Sequence, residues 1–350
     1  MPVGWGLIGC GRIAAAWMAP AIQAVQGSEL VAVVSRDGQR AERFARQQGA
    51  RRAYDDLDTF LRDPELDVVY IATTNNVHAE QTVRCARAGK HVLCEKPMAS
   101  SIAEAQQMID ACRGSGVRLG LNHHMRGFTA NGVARQAIAE GLVGDPQVAR
   151  ASLAVLIPED ARAWRLGVEL MGGVIMDLAT HCINLLRYLL RDEVVEASAQ
   201  AAQQMFQEGA EDSALGLLRF ARGTLASVHV GYNIPFIENG YEIYGATGTL
   251  TGRRLIGQHP GGSLEWRSPR GVQTLAQEEA NPYEVTVAAF AESVRRGDDV
   301  LTSGEDGLQD LKAGFALRRA AAEGRSVPLE AIVSEGESIE YHEHHRDHAG

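Results

Sequence analysis

An apolar run over residues 3–9 passes directly into Gly9-Cys10-Gly11-Arg12-Ile13-Ala14, a G-x-G-x-x-A pattern between a predicted strand and a predicted helix. No other feature narrows the folds open to this 350-residue chain as far. In such a turn the first glycine bends the backbone and the second lets it approach a pyrophosphate. The small third residue lets the helix lie close to the strand. Free N–H groups and the dipole at the helix N-terminus attract the anion. In this context the pattern predicts a dinucleotide-binding βαβ unit, with contacts from Gly9, Cys10, Gly11, Arg12 and Ile13. The competing readings are a glycine-rich turn without a ligand and the first βα turn of an adenosyl-methionine methyltransferase.

Strand-like and helical patterns then alternate. Strands are expected at 30–34, 68–72, 91–94 and 118–121, and helices at 12–26, 41–48, 56–62, 78–89 and 101–114. Pro20 should kink or split the first helix, because it removes a backbone donor. Strands apolar on both faces mark a parallel sheet covered on both sides. From about residue 122 the pattern changes to strand-like runs at 147–157, 194–205, 213–220, 224–234, 241–246 and 249–256. Turn signals such as Arg222-Gly223 and Thr247-Gly248 separate them. Helices are expected at 130–141, 174–190 and 305–323, and another opens at Asn281-Pro282-Tyr283-Glu284. The expected fold class is α/β: an N-terminal Rossmann doubly wound parallel sheet plus a C-terminal α+β domain with an open, mainly antiparallel sheet. The expected domains are 1–122 for the dinucleotide, 123–330 for substrate binding and oligomerisation, and a polar His-rich tail over 331–350. The tail histidines His342, His344, His345 and His348 read as a solvated terminus rather than a metal site.

The end of the second strand selects among dinucleotides. An NAD site usually carries an acid there for the ribose hydroxyls. This chain reads VAVVSRDGQR, which places Ser35 at that point, followed by Arg36 and Arg40. A hydroxyl and two guanidinium groups suit a 2′-phosphate, so NADP(H) is expected, with NAD(H) the alternative. Asp37 is the dissenting residue, because turned inward it would serve NAD. The opposing reading is that both arginines are solvated surface residues.

Bulk properties bound the partners. A net charge of −10 argues against a nucleic-acid partner, which needs a basic face. The cysteines Cys10, Cys85, Cys94, Cys112 and Cys182 lack the spacing of a disulfide framework or a zinc site. No apolar run is long enough to span a bilayer, and no room for a signal peptide precedes the first strand. A cytoplasmic protein without a membrane partner is the expectation.

Two further patterns carry chemistry. Cys94-Glu95-Lys96-Pro97 follows a strand at the carboxyl edge, where open α/β sheets bind ligands. A lysine there can stabilise negative charge developing on an oxygen. A surface Glu-Lys pair is the blander reading. In GGVIMDLATH at 172–181, Asp177 and His181 are four residues apart in an otherwise apolar helix, and Asn184 extends the stripe. Histidine is the natural proton donor to a forming alkoxide, and a neighbouring carboxylate can tune it. A satisfied core histidine or half of a metal site remain open, although no third ligand supports the metal, and none is expected.

These patterns, with Thr73-Thr74-Asn75 and His78, occur in an order that resembles the glucose–fructose oxidoreductase and inositol dehydrogenase family over nearly the whole chain to about residue 325. Asn122-His123-His124-Met125-Arg126, Trp164-Arg165-Leu166, Ser35 and Arg40 are most similar to members that use NADPH to reduce a 2-keto sugar, 1,5-anhydro-D-fructose. The resemblance implies that Lys96 and His181 are catalytic, with Asp177 assisting. It implies cofactor contacts from Gly9 to Ile13, Ser35, Arg36, Arg40, Thr73, Thr74, Asn75, Asn76, Val77, His78, Glu95, Lys96, Asn122, Trp164 and Arg165. Substrate contacts are implied for Lys96, His123, Arg165, Asp177, His181 and Tyr283, and a homodimer or homotetramer for the assembly. Two departures bear on the substrate: Thr74 stands where many members have Pro, and Cys10 with Arg12 replace small polar residues. An NAD-dependent inositol or polyol dehydrogenase and a non-catalytic dinucleotide sensor are the remaining alternatives.

Overall fold

The computed structural model describes residues 2–333, so the tail histidines lie outside the described residues. Strands β1 (Val3–Ile8), β2 (Ser28–Val34), β3 (Arg52–Tyr54), β4 (Val68–Ile71), β5 (His91–Cys94) and β6 (Leu119–Leu121) form one parallel sheet in the order β3-β2-β1-β4-β5-β6. All six residues of β1 are buried, as a strand covered on both faces requires. The helices α1 (Ala19–Ala24), α2 (Gly38–Gln48), α3 (Leu57–Leu61), α4 (His78–Arg87) and α5 (Ile102–Gly114) make its crossovers. Strand order reverses between β1 and β4, and this opens a crevice at their carboxyl ends. The first helix is split as expected: a π-helical turn over Ala14–Met18 precedes α1, and Pro20 sits in the first turn of α1, where its missing donor costs nothing.

The second sheet has nine strands in the order β14-β13-β12-β11-β7-β10-β9-β8-β15. They are β7 (Pro146–Ala154), β8 (Val194–Ala202), β9 (Ser213–Phe220), β10 (Leu225–Gly231), β11 (Gly240–Gly245), β12 (Thr249–Arg253), β13 (Ser263–Ser268), β14 (Gly271–Gln277) and β15 (Val327–Pro328). All neighbours are antiparallel except β7 and β10, which run parallel. The hairpin β13–β14 does not stand out in the sequence because β14 is largely exposed and carries no apolar alternation.

One face of this sheet is packed by α6 (Thr129–Ala139), α8 (Thr180–Leu190) and α10 (Gly304–Glu323). Ten of the eleven residues of α8 are buried, so its polar side chains must find partners inside the protein. On the other face Val148, Leu215, Leu217 and Leu225 are exposed. Two further helices complete the chain: α7 (Glu159–Arg165) and α9 (Pro282–Arg296). Asn281 caps α9 by accepting a hydrogen bond from Tyr283 N, as the sequence predicts. This helix crosses back to the first sheet, where Tyr283, Val287, Phe290 and Ala291 join the core around Val3, Trp5 and Leu30. Leu121 N then donates to Thr302 O at 3.0 Å, which fastens the start of α10 to the edge of β6. No helix of the described residues is long and apolar enough to cross a membrane.

Candidate active site

The glycine turn closes against the end of β4. Gly9 has φ +101°, and a Cβ there would lie 2.8 Å from Ala72 O, so only glycine fits. That close approach and the helix start beyond it are what a pyrophosphate needs, and the residues present fit a dinucleotide. Arg12 is exposed at the turn, while Cys10 and Ile13 are half-buried.

At the end of β2, Arg40 reaches from α2 across to the glycine turn and donates to Cys10 O at 2.9 Å. Ser35 lies between them, its hydroxyl facing Asp37 N at 3.4 Å. Asp37 is not turned inward: its carboxylate caps α2 by accepting from Arg40 N at 3.1 Å. Arg36 is exposed beside them.

The segment after β4 forms the next wall. Thr74 and Asn76 are exposed, Thr73 and Val77 half-buried, and Asn75 Nδ2 bridges to Leu170 O of the second domain at 3.2 Å. His78 is buried, and its ring links Thr73 O at 3.2 Å to Pro97 O at 3.1 Å. It therefore ties this segment to the Glu95-Lys96-Pro97 loop instead of facing open space. Glu95 accepts from Tyr70 Oη and, at 2.6 Å, from Asn122 Nδ2. Burial pushes the Glu95 carboxyl up, against hydrogen bonds from Tyr70 and Asn122. Both Glu95 and Asn122 thus brace the loop that carries Lys96.

Lys96 and Asp177 come together across the two domains. Lys96 Nζ donates to Asp177 Oδ1 at 2.5 Å and to Asp177 O at 3.0 Å. The other carboxylate oxygen receives Arg165 and, at 2.6 Å, Tyr232 Oη. Burial would raise the Asp177 carboxyl, but the charges of Lys96 and Arg165, with hydrogen bonds from Lys96 and Tyr232, hold it far below the usual carboxylate range. Asp177 lies in a π-helical turn over Ile175–Ala179 that runs into α8. In a turn closed by i→i+5 hydrogen bonds, residues four apart no longer stack. Asp177 and His181 accordingly have different partners: Asp177 turns to Lys96, and His181 turns to His123 and His124.

His181 is 6% exposed, with ring centroids 5.6 Å from His123 and 5.3 Å from His124. Burial pushes its pKa well below the ordinary value, and the Lys96 ammonium pushes it further. The buried, cationic surroundings thus favour the neutral ring over the imidazolium. His124 Nε2 lies 2.9 Å from Gly257 O, and burial lowers its pKa to about 4. Tyr283 is fully buried and stacks on His124 at 4.5 Å and on Trp17 at 5.1 Å. It supports this wall from behind. Trp164 is 48% exposed, so it is not core, and the Arg165 guanidinium lies 4.5 Å from its ring. Asn184 bonds Arg126 and Asp310.

Tyr232 and Tyr70 were not legible as site residues. Each sits at or near a strand end whose alternation reports only burial. Among the described residues no group of three or more His, Cys, Asp or Glu is arranged to hold a metal ion.

Residues 3–123 match the oxidoreductase family with an NAD-binding Rossmann fold, and residues 133–251 match the GFO/IDH/MocA C-terminal domain. The chain is 40% identical to 1,5-anhydro-D-fructose reductase of Ensifer adhaerens, over 93% of this chain and 98% of that protein. The chain belongs to the GFO/IDH/MocA oxidoreductase family. Its resemblance to myo-inositol 2-dehydrogenase of Thermotoga maritima is 26% over 94% of this chain and 99% of that one. The crystal structure of an aldose-aldose oxidoreductase from Caulobacter crescentus, complexed with glycerol, superposes with a TM-score of 0.86 at 28% identity, covering 94% of this chain and 100% of the other. In this GFO/IDH/MocA protein the crevice at the β1–β4 switch point is the NAD(P) site of the Rossmann fold.

Proposed function

We propose that the protein is a cytoplasmic NADPH-dependent reductase of a keto sugar, with 1,5-anhydro-D-fructose the first substrate to test. The observation that carries the reaction is the buried Lys96–Asp177 pair beside His181, at the carboxyl end of the parallel sheet. The bound reduced nicotinamide supplies hydride to the carbonyl carbon. Lys96, oriented by Asp177, donates a hydrogen bond to the carbonyl oxygen and stabilises charge developing there. His181 delivers the proton to that oxygen. Arg165 and Tyr232 keep the Asp177 carboxylate fixed, so that Lys96 does not swing away. Retention of all three groups argues against a dinucleotide sensor, which has no use for a charged pair at the reaction centre.

NADPH is favoured because Asp37 is engaged as a helix cap, which leaves Ser35, Arg36 and Arg40 to meet the 2′-position of the ribose. An Arg40→Ala variant is expected to weaken NADPH binding about 10- to 100-fold while leaving NADH within about twofold. Fluorescence titration with the two nucleotides reads this directly. Equal loss for both would place Arg40 on the turn alone and reopen NAD as the cofactor. Turnover is tested by NADPH consumption at 340 nm (a property of the nucleotide) with 1,5-anhydro-D-fructose, other keto sugars and polyols.

A second reading has its own support. A neutral His181 is ready to accept a proton, which suits oxidation of a polyol, as in a myo-inositol dehydrogenase. Faster NAD+ reduction with inositol than NADPH oxidation with any keto sugar would select it.

Copies of the chain are proposed to pair through the outer sheet face, where Leu215 and Leu217 are 60% and 61% exposed. Light scattering on the eluted protein should give a dimer or tetramer mass, and a Leu217→Lys variant should shift it toward the monomer. A monomer in the unaltered protein at micromolar concentration would remove the proposal.

A further inference from the structure

Behind His181 lies a buried polar chain that the reaction as described does not use. His123 Nε2 is 3.4 Å from Asp310 Oδ2, and the two side chains are 3% and 2% exposed. Asn184 Nδ2 donates to Asp310 Oδ2 at 2.6 Å, and Arg187 donates to Asp310 Oδ1 at 2.6 Å. Three elements therefore hold Asp310 and His123: α8, α10 and the segment after β6, whose Arg126 also bonds Asn184.

Two ring nitrogens in this region are sealed from solvent and have no partner: His123 Nδ1 and His181 Nδ1. Buried polar atoms are normally paired, so two orphans on neighbouring rings call for an explanation. With His123 Nε2 facing the Asp310 carboxylate, the favoured tautomer carries its proton on Nε2 and leaves Nδ1 as an acceptor. His181 Nδ1, enclosed, is not the nitrogen that meets substrate, which leaves Nε2 as the working atom. The two rings are neighbours, 84° apart at a centroid distance of 5.6 Å.

We propose that Asp310 and His123 are positioning residues for proton transfer by His181, with His123 Nδ1 accepting a hydrogen bond from His181 Nδ1–H. This rests on the role of His181 given above. In reduction the His181 imidazolium carries protons on both nitrogens. Its Nε2–H bond breaks as the new O–H bond forms on the substrate, and the ring is left neutral as the Nδ1–H tautomer. His123 fixes that tautomer, and the Asp310 carboxylate compensates the charge of the imidazolium that precedes it.

The surroundings show why compensation matters. The charged and titratable groups around His181 are Lys96 after β5, Arg165 on α7, and His123, His124 and Arg126 after β6. Asp306 and Asp310 lie on α10, and Asp177 lies on the helix that carries His181. Asp177 is committed to Lys96, Arg165 and Tyr232, and Asp306 to Arg126. Asp310 lies against His123 while its other oxygen pairs with Arg187 on α8, and Asp306 also acts on His123 from one turn earlier on α10.

The test compares Asp310→Asn, His123→Phe and His181→Ala, using NADPH with 1,5-anhydro-D-fructose between pH 6 and 9. Both positioning variants are expected to lose about 10- to 100-fold in kcat with KM and NADPH affinity within about twofold. The pH above which reductive kcat declines should move down by about one unit in Asp310→Asn. The double variant should be no worse than the weaker single one. Unchanged kcat and pH profile in both variants, with His181→Ala inactive, would overturn the pair while keeping the reaction. Full turnover in His181→Ala would instead overturn the reading of the reaction itself. A raised KM with kcat retained in His123→Phe would make His123 a sugar contact. If Asp310→Asn does not fold because Arg187 loses one of its partners, His123→Phe still decides. Independently of any substrate, a histidine NMR titration should show the His181 pKa displaced downward in Asp310→Asn. No displacement there overturns the proposal.

Discussion

Lys96→Met is expected to lower kcat for keto-sugar reduction by about three orders of magnitude and to leave the NADPH Kd within about twofold. Methionine keeps most of the length of the side chain and removes the ammonium proposed to bind the substrate oxygen. Asp177 is not orphaned by this change, because Arg165 and Tyr232 still bind its second oxygen. The variant should therefore lose less stability than the about 3–5 kcal/mol usual when a buried charge loses its only partner. The remaining activity carries a second signature. After burial, the Lys96 charge is the largest influence that keeps His181 neutral. Without it the imidazolium becomes easier to form, so residual reduction should persist to higher pH than in the unaltered protein. Initial rates between pH 6 and 9, with fluorescence titration of NADPH, check both effects. Near-normal kcat would make Lys96 only the structural partner of Asp177.

The second large effect is loss of stability in mild acid. His78, His123, His124 and His181 are all buried, and burial lowers the pKa of each. Below the unfolded value near 6.5 the unfolded chain binds protons that the folded chain refuses, so stability falls as pH falls. Their contribution is fully present above that value and is lost progressively toward the folded values, which for His124 is about 4. Lowering the pH from 6.5 to 5.5 costs about 1 kcal/mol for His124, and the other three histidines add in the same direction. Glu95 and Asp310, both raised by burial, act in the opposite sense and offset part of it. Urea unfolding at pH 7.5, 6.5 and 5.5 should show the midpoint falling steeply with an unchanged m-value. A flat profile would mean that these rings are protonated in the folded protein, and the neutral assignment of His181 would fall with it.

The reach of the sequence was set by local physics. The glycine turn, the apolar strands and the cap at Asn281 are decided within a few residues, and each appears where the pattern places it. The single parallel pair in the second sheet, β7 with β10, joins strands about 70 residues apart, and no local signal records such a partner. The π-helical turns at Ala14–Met18 and Ile175–Ala179 were equally silent, since their wider winding depends on the packing around them. The Asp177 and His181 spacing pointed to the right helix, but the turn sent the two side chains to different partners.

The sequence by itself determined the Rossmann turn, the two-sheet organisation and the family, because glycine conformation and strand burial leave few alternatives. It also named Lys96, Asp177 and His181 as residue types fit for carbonyl chemistry. Only the tertiary structure decided that Asp37 caps a helix, which leaves Ser35, Arg36 and Arg40 as the charged and polar groups beside the nucleotide turn. It alone showed that Asp177 belongs to Lys96, Arg165 and Tyr232, and that His181 is buried beside His123, which faces Asp310. Those facts depend on which buried charges meet across two domains, and the energy of such meetings is not written in any local stretch of chain.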